Sequence, residues 1–425
     1  MTNFILDSSL LFFSLILFVI SLFILTMFFL RLWVYRFRPE GIFGFDYHML
    51  EWSLKEKRRC YFLSEYVFAE ALSWSQIESF LREQIQLSLK SSSSPLRIQC
   101  SWDHQRFSFS SSLEIADLID LVDNDSDFYA IEDASDREVF FRFYPSKNRI
   151  SILFDHVCFD GIRFYTEVCQ PLFLSRPLST HVLRRDNYTP IIAEWNQCRL
   201  LMRYLKRHFR QGYLPVGHSD DQVIVKHTIA QSEIKLLKKS TNSGFTSALL
   251  AHYLHRVFSS LDLQYDSISV GVIIAFSNER FRNNYSIAIL RINRSCDLDV
   301  LVREIESQMQ DHDRDVLPLY QMLSLTSIQS YLKKNAIDLL FSPCFFYPAK
   351  GLSRSIDGCA FYNAPCSNPL YVFAAVYGGS VTYSTTINSP AISLTSFQQG
   401  AEQSLKQFEP YRLLPISTSH VESRA

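Results

Sequence analysis

FDHVCFDG, residues 154–161, sets a histidine four positions before an aspartate and closes on a glycine. Such a string is uncommon by accident, and its surroundings decide what it means. Upstream, REVFFRFYP (137–145) and RISILFD (149–155) are rich in aromatic and β-branched residues and are separated by SKN. They predict a β-hairpin whose second strand ends just before His156. Downstream, IRFYTEVC (162–169) predicts a helix. The motif therefore spans a strand-to-helix turn, with Gly161 as the residue that permits a tight one. Two readings stay open on local grounds: a catalytic pair in a pre-organised loop, or a buried histidine satisfied by a neighbouring carboxylate.

The chain has 425 residues and is 47% hydrophobic, with 35 Phe and 21 Tyr against 12 Gly, which is enough apolar material for one large core or two coupled ones. A formal net charge of -1 supplies no basic field, so nucleic acid is not an expected partner. The nine cysteines are scattered, with no C-x-x-C pair and no partnering histidine. They read as buried thiols in a reducing compartment, and no metal site is expected. Sequons at Asn124, Asn187, Asn284 and Asn293 would matter only in a lumenal domain.

Residues 10–30, LLFFSLILFVISLFILTMFFL, carry no charge, proline or glycine. About 20 apolar residues cross a bilayer as a helix, so this stretch predicts a retained anchor. A cleaved signal peptide would want a basic start, and here the start carries Asp7. Arg31, Arg36 and Arg38 follow directly, which places the remaining chain in the cytosol by the positive-inside rule. The expectation is a single-pass protein of the endoplasmic reticulum or a similar membrane.

Between the anchor and the hairpin, residues 74–90 predict a helix capped by Ser73 or Ser75, and the serine run before Pro95 predicts a loop. Residues 195–217 predict a long helix and a linker. Arg203, Lys206, Arg207 and Arg210 share one face of it, either as an anion contact or as a solvated face. A second pattern follows: a strand and a Ser232-capped helix (221–240), a helix over 246–261, strands over 267–277 and 285–292, a hairpin through Gly378-Gly379 (370–388) and a closing helix from 394. Two mixed α/β halves result, with boundaries at 1–38 for the anchor and its basic flank, 39–212 for the first lobe and 213–425 for the second.

With these elements in place the chain resembles the CoA-dependent acyltransferase superfamily, which includes chloramphenicol acetyltransferase, plant H-x-x-x-D acyltransferases, nonribosomal peptide condensation domains and wax ester synthase/diacylglycerol acyltransferases. FDHVCFDG carries the resemblance, supported by AFSNERFRNNYSIAIL (275–290) and YGGSVTYSTTINSP (377–390), over roughly residues 43–410. It is nearest in flavour to the wax ester synthases. Those enzymes and condensation domains usually have two consecutive histidines, whereas Asp155 stands at the first place here, and the plant D-F-G-W-G segment is missing.

The resemblance implies two chloramphenicol acetyltransferase-like lobes with a channel between them and His156 at its middle. It implies acyl transfer from a thioester to a hydroxyl or amine, with acyl-CoA as co-substrate and no permanently bound cofactor. A neutral imidazole suits proton removal at cytosolic pH, so His156 is the candidate general base. Asp160 is the candidate structural carboxylate, with Arg280 or Arg282 as its partner and Gly161 supporting the turn. Ser342, Ser384 and Thr386 are the candidate oxyanion donors, without a choice among them. Cys158 reads as a packing residue. The resulting expectation is a membrane-anchored O-acyltransferase acting on an alcohol, a lipid among the candidates; the rivals are a catalytically silent member of the fold that binds a lipid or a partner, and an N-acyltransferase or condensation-like module.

Overall fold

The computed structural model describes residues 59, 61–101, 106–129, 137–174, 214–217, 223–261, 265–275, 285–295, 297–310, 337–345, 352, 355–363, 368–397 and 421–423, together with residue 53 and most of 14–26. Among these residues the chain is a mixed α/β structure with sheets of five, seven and two strands.

The five-stranded sheet has the order β11-β1-β6-β5-β4. β1 (Tyr61–Phe68) lies between β6 (Arg149–Asp155) and β11 (Ile356–Asn363) and is antiparallel to both. The predicted hairpin forms between β5 (Val139–Tyr144) and β6, turning through Pro145–Lys147 and a left-handed Asn148. β4 (Ile119–Leu121) closes the edge, and β2 (Ile98–Ser101) pairs with β3 (Arg106–Phe109) separately. Alternation sends Phe62, Tyr66, Phe141, Phe143, Ile152 and Phe154 to one face. There they meet Ile77, Leu81, Ile85 and Leu89 of α1 (Trp74–Leu89), a stripe repeating every four residues. Ser73 is the N-cap of that helix, and its amide donates to Gln76 Oε1.

The seven-stranded sheet has the order β14-β7-β13-β12-β10-β8-β9. It comprises β7 (Val223–Ala230), β8 (Ser267–Ala275), β9 (Tyr285–Asn293), β10 (Leu339–Phe345), β12 (Leu370–Tyr377), β13 (Ser380–Ile387) and β14 (Val421–Ser423). Gly378 and Gly379 make the two-residue turn between β12 and β13 at φ of +57° and +85°, conformations that favour glycine. Behind this sheet α6 (Phe245–Ser260) is buried on nearly every side, as its apolar run requires. Ahead of it, α5 (Gln231–Thr241) starts from Ala230 rather than from a Ser232 cap: Ser232 lies inside the first turn, because β7 runs straight into the helix.

Every residue of β12 is buried, and its two faces serve different cores. Leu370, Val372, Ala374 and Val376 pack into the second core, while Tyr371, Phe373, Ala375 and Tyr377 pack into the first. A boundary at 212/213 assigns β11 to the second lobe by sequence, yet β11 is hydrogen-bonded into the first sheet. Glu65 on β1 adds a polar tie between the sheets, accepting from Lys226 Nζ of β7 (2.9 Å) and from the Tyr362 hydroxyl of β11 (2.8 Å). Burial works to raise its pKa, but Lys226, Arg149 and Tyr362 outweigh that and hold it below the usual carboxylate range.

The described residues between 14 and 26 are helical and exposed. No helix among the described residues is long and apolar enough to cross a membrane; residues 10–13, 16, 20, 24 and 27–30 of the expected anchor lie outside them. The basic helix expected over 195–212 also lies outside, and of the closing helix only 394–397 is described, as helix.

In the second core the Tyr383 ring lies near-parallel to His227 on β7 and His252 on α6, at centroid distances of 6.4 and 6.0 Å. Burial pushes both imidazoles below their usual pKa, with Arg256 adding to it, and takes His252 down to about 3. The unfolded chain protonates these groups near 6.5, so stability falls as pH drops below 6.5, by about 1.4 kcal/mol per pH unit per histidine. Denaturant unfolding between pH 7 and 5 should show a shallower loss for His252→Phe than for the unsubstituted protein, and the difference in slope isolates this residue.

Candidate active site

His156 follows directly from β6 and is 8% exposed. Its Nδ1 lies 2.9 Å from the Phe159 carbonyl. A carbonyl can only accept, so Nδ1 carries the proton and Nε2 is the basic nitrogen. The Phe62 ring meets the imidazole edge-on, with centroids 4.4 Å apart.

The loop from 155 to 160 is held by the backbone around Asp155. Its carbonyl accepts from the Cys158 amide (3.0 Å) and the Phe159 amide (3.2 Å), and its Oδ1 accepts from the Val157 amide (3.0 Å). Asp155 is fully buried, and its Oδ2 accepts from Arg59 Nη1 (3.0 Å), which also donates to Glu138 Oε1 (3.0 Å). Burial raises the pKa of both carboxylates and the guanidinium pulls against it. Burial likewise works against the charge on Arg59, but Asp155 and Glu138 outweigh it and hold its pKa above the usual value.

Asp160 is 4% exposed and caps α3 (Gly161–Phe164): its Oδ1 accepts from the Arg163 amide (2.7 Å) and its carbonyl from the Phe164 amide (2.8 Å). Aspartate is favoured there because its carboxylate satisfies an amide that the helix leaves unpaired. Arg280 and Arg282, the expected partners, lie outside the described residues. Gly161 is the first residue of α3, has no positive φ, and a Cβ added there would meet nothing within 4 Å. Turn geometry therefore does not demand a glycine, because the Asp160 cap already makes the turn. The helix continues through a π turn at Tyr165–Cys169 into α4 (Gln170–Leu174). Phe164 stacks on Phe154 at 3.8 Å and fixes it to the strand. Cys158 is fully buried in the first core.

The three hydroxyl candidates share one face of the second sheet. Ser342 on β10, Phe373 on β12, Ser384 on β13 and Lys226 on β7 form one cross-strand row, with Tyr371 and Thr386 in the next. Val381, Tyr383 and Ile387 point into the second core, so by alternation Ser384 and Thr386 point toward the first. Phe373 meets Phe62 edge-on at 5.6 Å, so His156 and this row are two ring contacts apart. The candidates differ in their partners. Ser342 Oγ lies 3.9 Å from Cys344 Sγ and Thr386 is engaged, whereas Ser384 is 2% exposed and its Oγ has no hydrogen-bond partner among the described residues.

No protein-family model and no curated protein matches this chain. Solved structures do. The TRI3 trichothecene 15-O-acetyltransferase from Fusarium sporotrichioides superposes with a TM-score of 0.60 at 13% identity, covering 87% of this chain and 94% of that one. The first condensation domain of the calcium-dependent antibiotic synthetase, in complex with a substrate analogue, gives 0.57 at 11%, covering 86% and 94%. The nonribosomal peptide synthetase FmoA3 gives 0.60 at 10%, and this chain spans 42% of its length. The chain has the condensation-domain and acyltransferase fold. Between the two sheets of this chain, His156 meets Phe62 and Phe62 meets Phe373 of the Ser384 row.

Sequence reasoning missed Arg59 and Glu138. The one available signal was Asp155, an aspartate next to a candidate base. Two stability measurements follow from the cap. Asp160→Ala should lose about 1 kcal/mol while Asp160→Asn, another good cap, loses much less. Gly161→Ala should unfold no more easily than the unsubstituted protein, since the added methyl has room and alanine favours helix.

Proposed function

We propose that this protein is an acyltransferase in which His156 Nε2 removes the proton from an alcohol or amine as it attacks a thioester. The observation that carries this reading is the Nδ1 hydrogen bond to Phe159, which selects the basic tautomer of a histidine held in the seam. The acceptor's oxygen or nitrogen bonds to the carbonyl carbon, and its proton passes to Nε2. The tetrahedral intermediate then expels the thiolate, which takes that proton. Ser384 is the oxyanion donor, favoured over Ser342 and Thr386 because its buried hydroxyl has no partner among the described residues, a state that costs about 1–3 kcal/mol and calls for a reason. Asp160 serves the loop as a helix cap, with Arg280 or Arg282 as a further partner.

Acyl-CoA is the proposed donor, reaching the seam through a channel between the lobes. The similar structures include both an O-acetyltransferase and condensation domains, so a carrier-bound acyl thioester is the second donor to test. Residues 10–30 are proposed to anchor the protein with its body in the cytosol; the exposure of Leu17, Phe18, Leu22 and Phe23 on helical backbone supports this. Protease added to intact microsomes should then digest the body.

Membranes holding the full chain, given labelled acyl-CoA or an acyl carrier and a panel of alcohols and amines, should form a labelled ester or amide. His156→Ala should lose roughly two to four orders of magnitude in kcat and stay folded. Ser384→Ala should lower kcat by on the order of 10²-fold with little change in KM. Near-normal turnover by His156→Ala would contradict the mechanism.

A further inference from the structure

Beneath the motif one guanidinium bridges carboxylates from neighbouring strands. Arg59 precedes β1, Glu138 precedes β5 and Asp155 ends β6, and Arg59 Nη1 is 3.0 Å from a carboxylate oxygen of each. Glu138 Oε1 accepts in addition from the Cys100 amide of β2 (2.9 Å), and the Asp155 amide donates to the Glu138 carbonyl (2.8 Å). The cluster is thus tied to four strands. Above it, Asp155 receives the amides of Val157, Cys158 and Phe159 through its carboxylate and its carbonyl. Phe159 in turn presents the carbonyl that accepts the hydrogen bond from His156 Nδ1. A continuous path of bonds runs from the Arg59 guanidinium to the imidazole.

We propose that Asp155, clamped by Arg59 and Glu138, is a positioning residue that sets the tautomer and the aim of His156. Asp155 touches no reacting atom in this role. It fixes the carbonyl that His156 needs, and Arg59 fixes Asp155. The inference rests on the reading of His156 as the base, and deepens it. A buried pair of this kind contributes little net stability compared with apolar packing, so geometry is the better reason for it.

The test uses the full chain labelled with ¹⁵N-histidine, the His156 signals being assigned by their loss in His156→Ala. The unsubstituted protein should show a protonated Nδ1 and a bare Nε2. Asp155→Asn should shift both toward the average of two tautomers and lower kcat by on the order of 10²-fold with KM little changed, as expected when a catalytic group loses its aim. Arg59→Gln should move the shifts in the same direction. A folded Asp155→Asn with His156 shifts like those of the unsubstituted protein would overturn the proposal. Hydrogen exchange in the unsubstituted protein keeps the proposal testable should the variants not fold. The amides of Val157, Cys158 and Phe159 should exchange as slowly as those of β6, and exchange at the rate of an open loop would overturn it. The tautomer readout requires no turnover, so failure of the base reading, seen as activity in His156→Ala, is distinguishable from failure of this one.

Discussion

A strand buried on both faces has to satisfy two cores at once, and β12 imposes that constraint on the whole molecule. Its even-numbered residues from Leu370 to Val376 belong to the second core and its odd-numbered aromatics to the first. The aromatic face places Phe373 against Phe62, and Phe62 against His156. The two sheets therefore cannot shift independently without opening the aromatic contact that sets the distance between His156 and the hydroxyl row. β11, which comes from the later part of the sequence, is paired with β1 in the first sheet.

Within that seam the motif works as a piece of backbone before it works as side chains. His156 is aimed by a carbonyl three residues later, Asp160 caps the helix that follows, and Asp155 gathers the intervening amides. Each of these bonds is local. What makes them rigid is distant: Arg59 is 96 residues from Asp155 in sequence and 79 from Glu138. Burying two carboxylates with one guanidinium is expensive in isolation, and backbone amides offset part of that cost: Val157 donates to the other oxygen of Asp155, and Cys100 donates to the same Glu138 oxygen that Arg59 meets.

Much of this was legible in the residues. The hairpin before His156, the α1 stripe and the Gly378-Gly379 turn follow from side-chain period and turn chemistry, which are local properties. β1 was not legible, because YFLSEYVF is buried on both faces and so shows no alternation, while Ser64 and Glu65 interrupt its apolar run. Glu65 is held there by Lys226 and Tyr362, which arrive from strands far away in sequence, and by Arg149. The helix start at Ala230 was misread because the choice between neighbouring caps depends on where the preceding strand ends, and Gly161 was assigned the tight turn because the Asp160 side chain that caps the helix shows only in three dimensions. Preferring Ser384 among three candidate hydroxyls needed knowledge of which one has no partner among the described residues, and no spacing rule supplies that.

The measurement that bears most directly on the central claim is a structure of the protein with a thioether analogue of an acyl-CoA, in which the acyl carbonyl is kept but cannot be transferred. If the seam is the reaction site, the carbonyl carbon should sit beside His156 with room for an attacking atom within about 3.5 Å of Nε2. Its oxygen should then lie about 3 Å from Ser384 Oγ. An analogue bound with its carbonyl away from both residues, or His156 with Nδ1 turned from the Phe159 carbonyl, would contradict the claim.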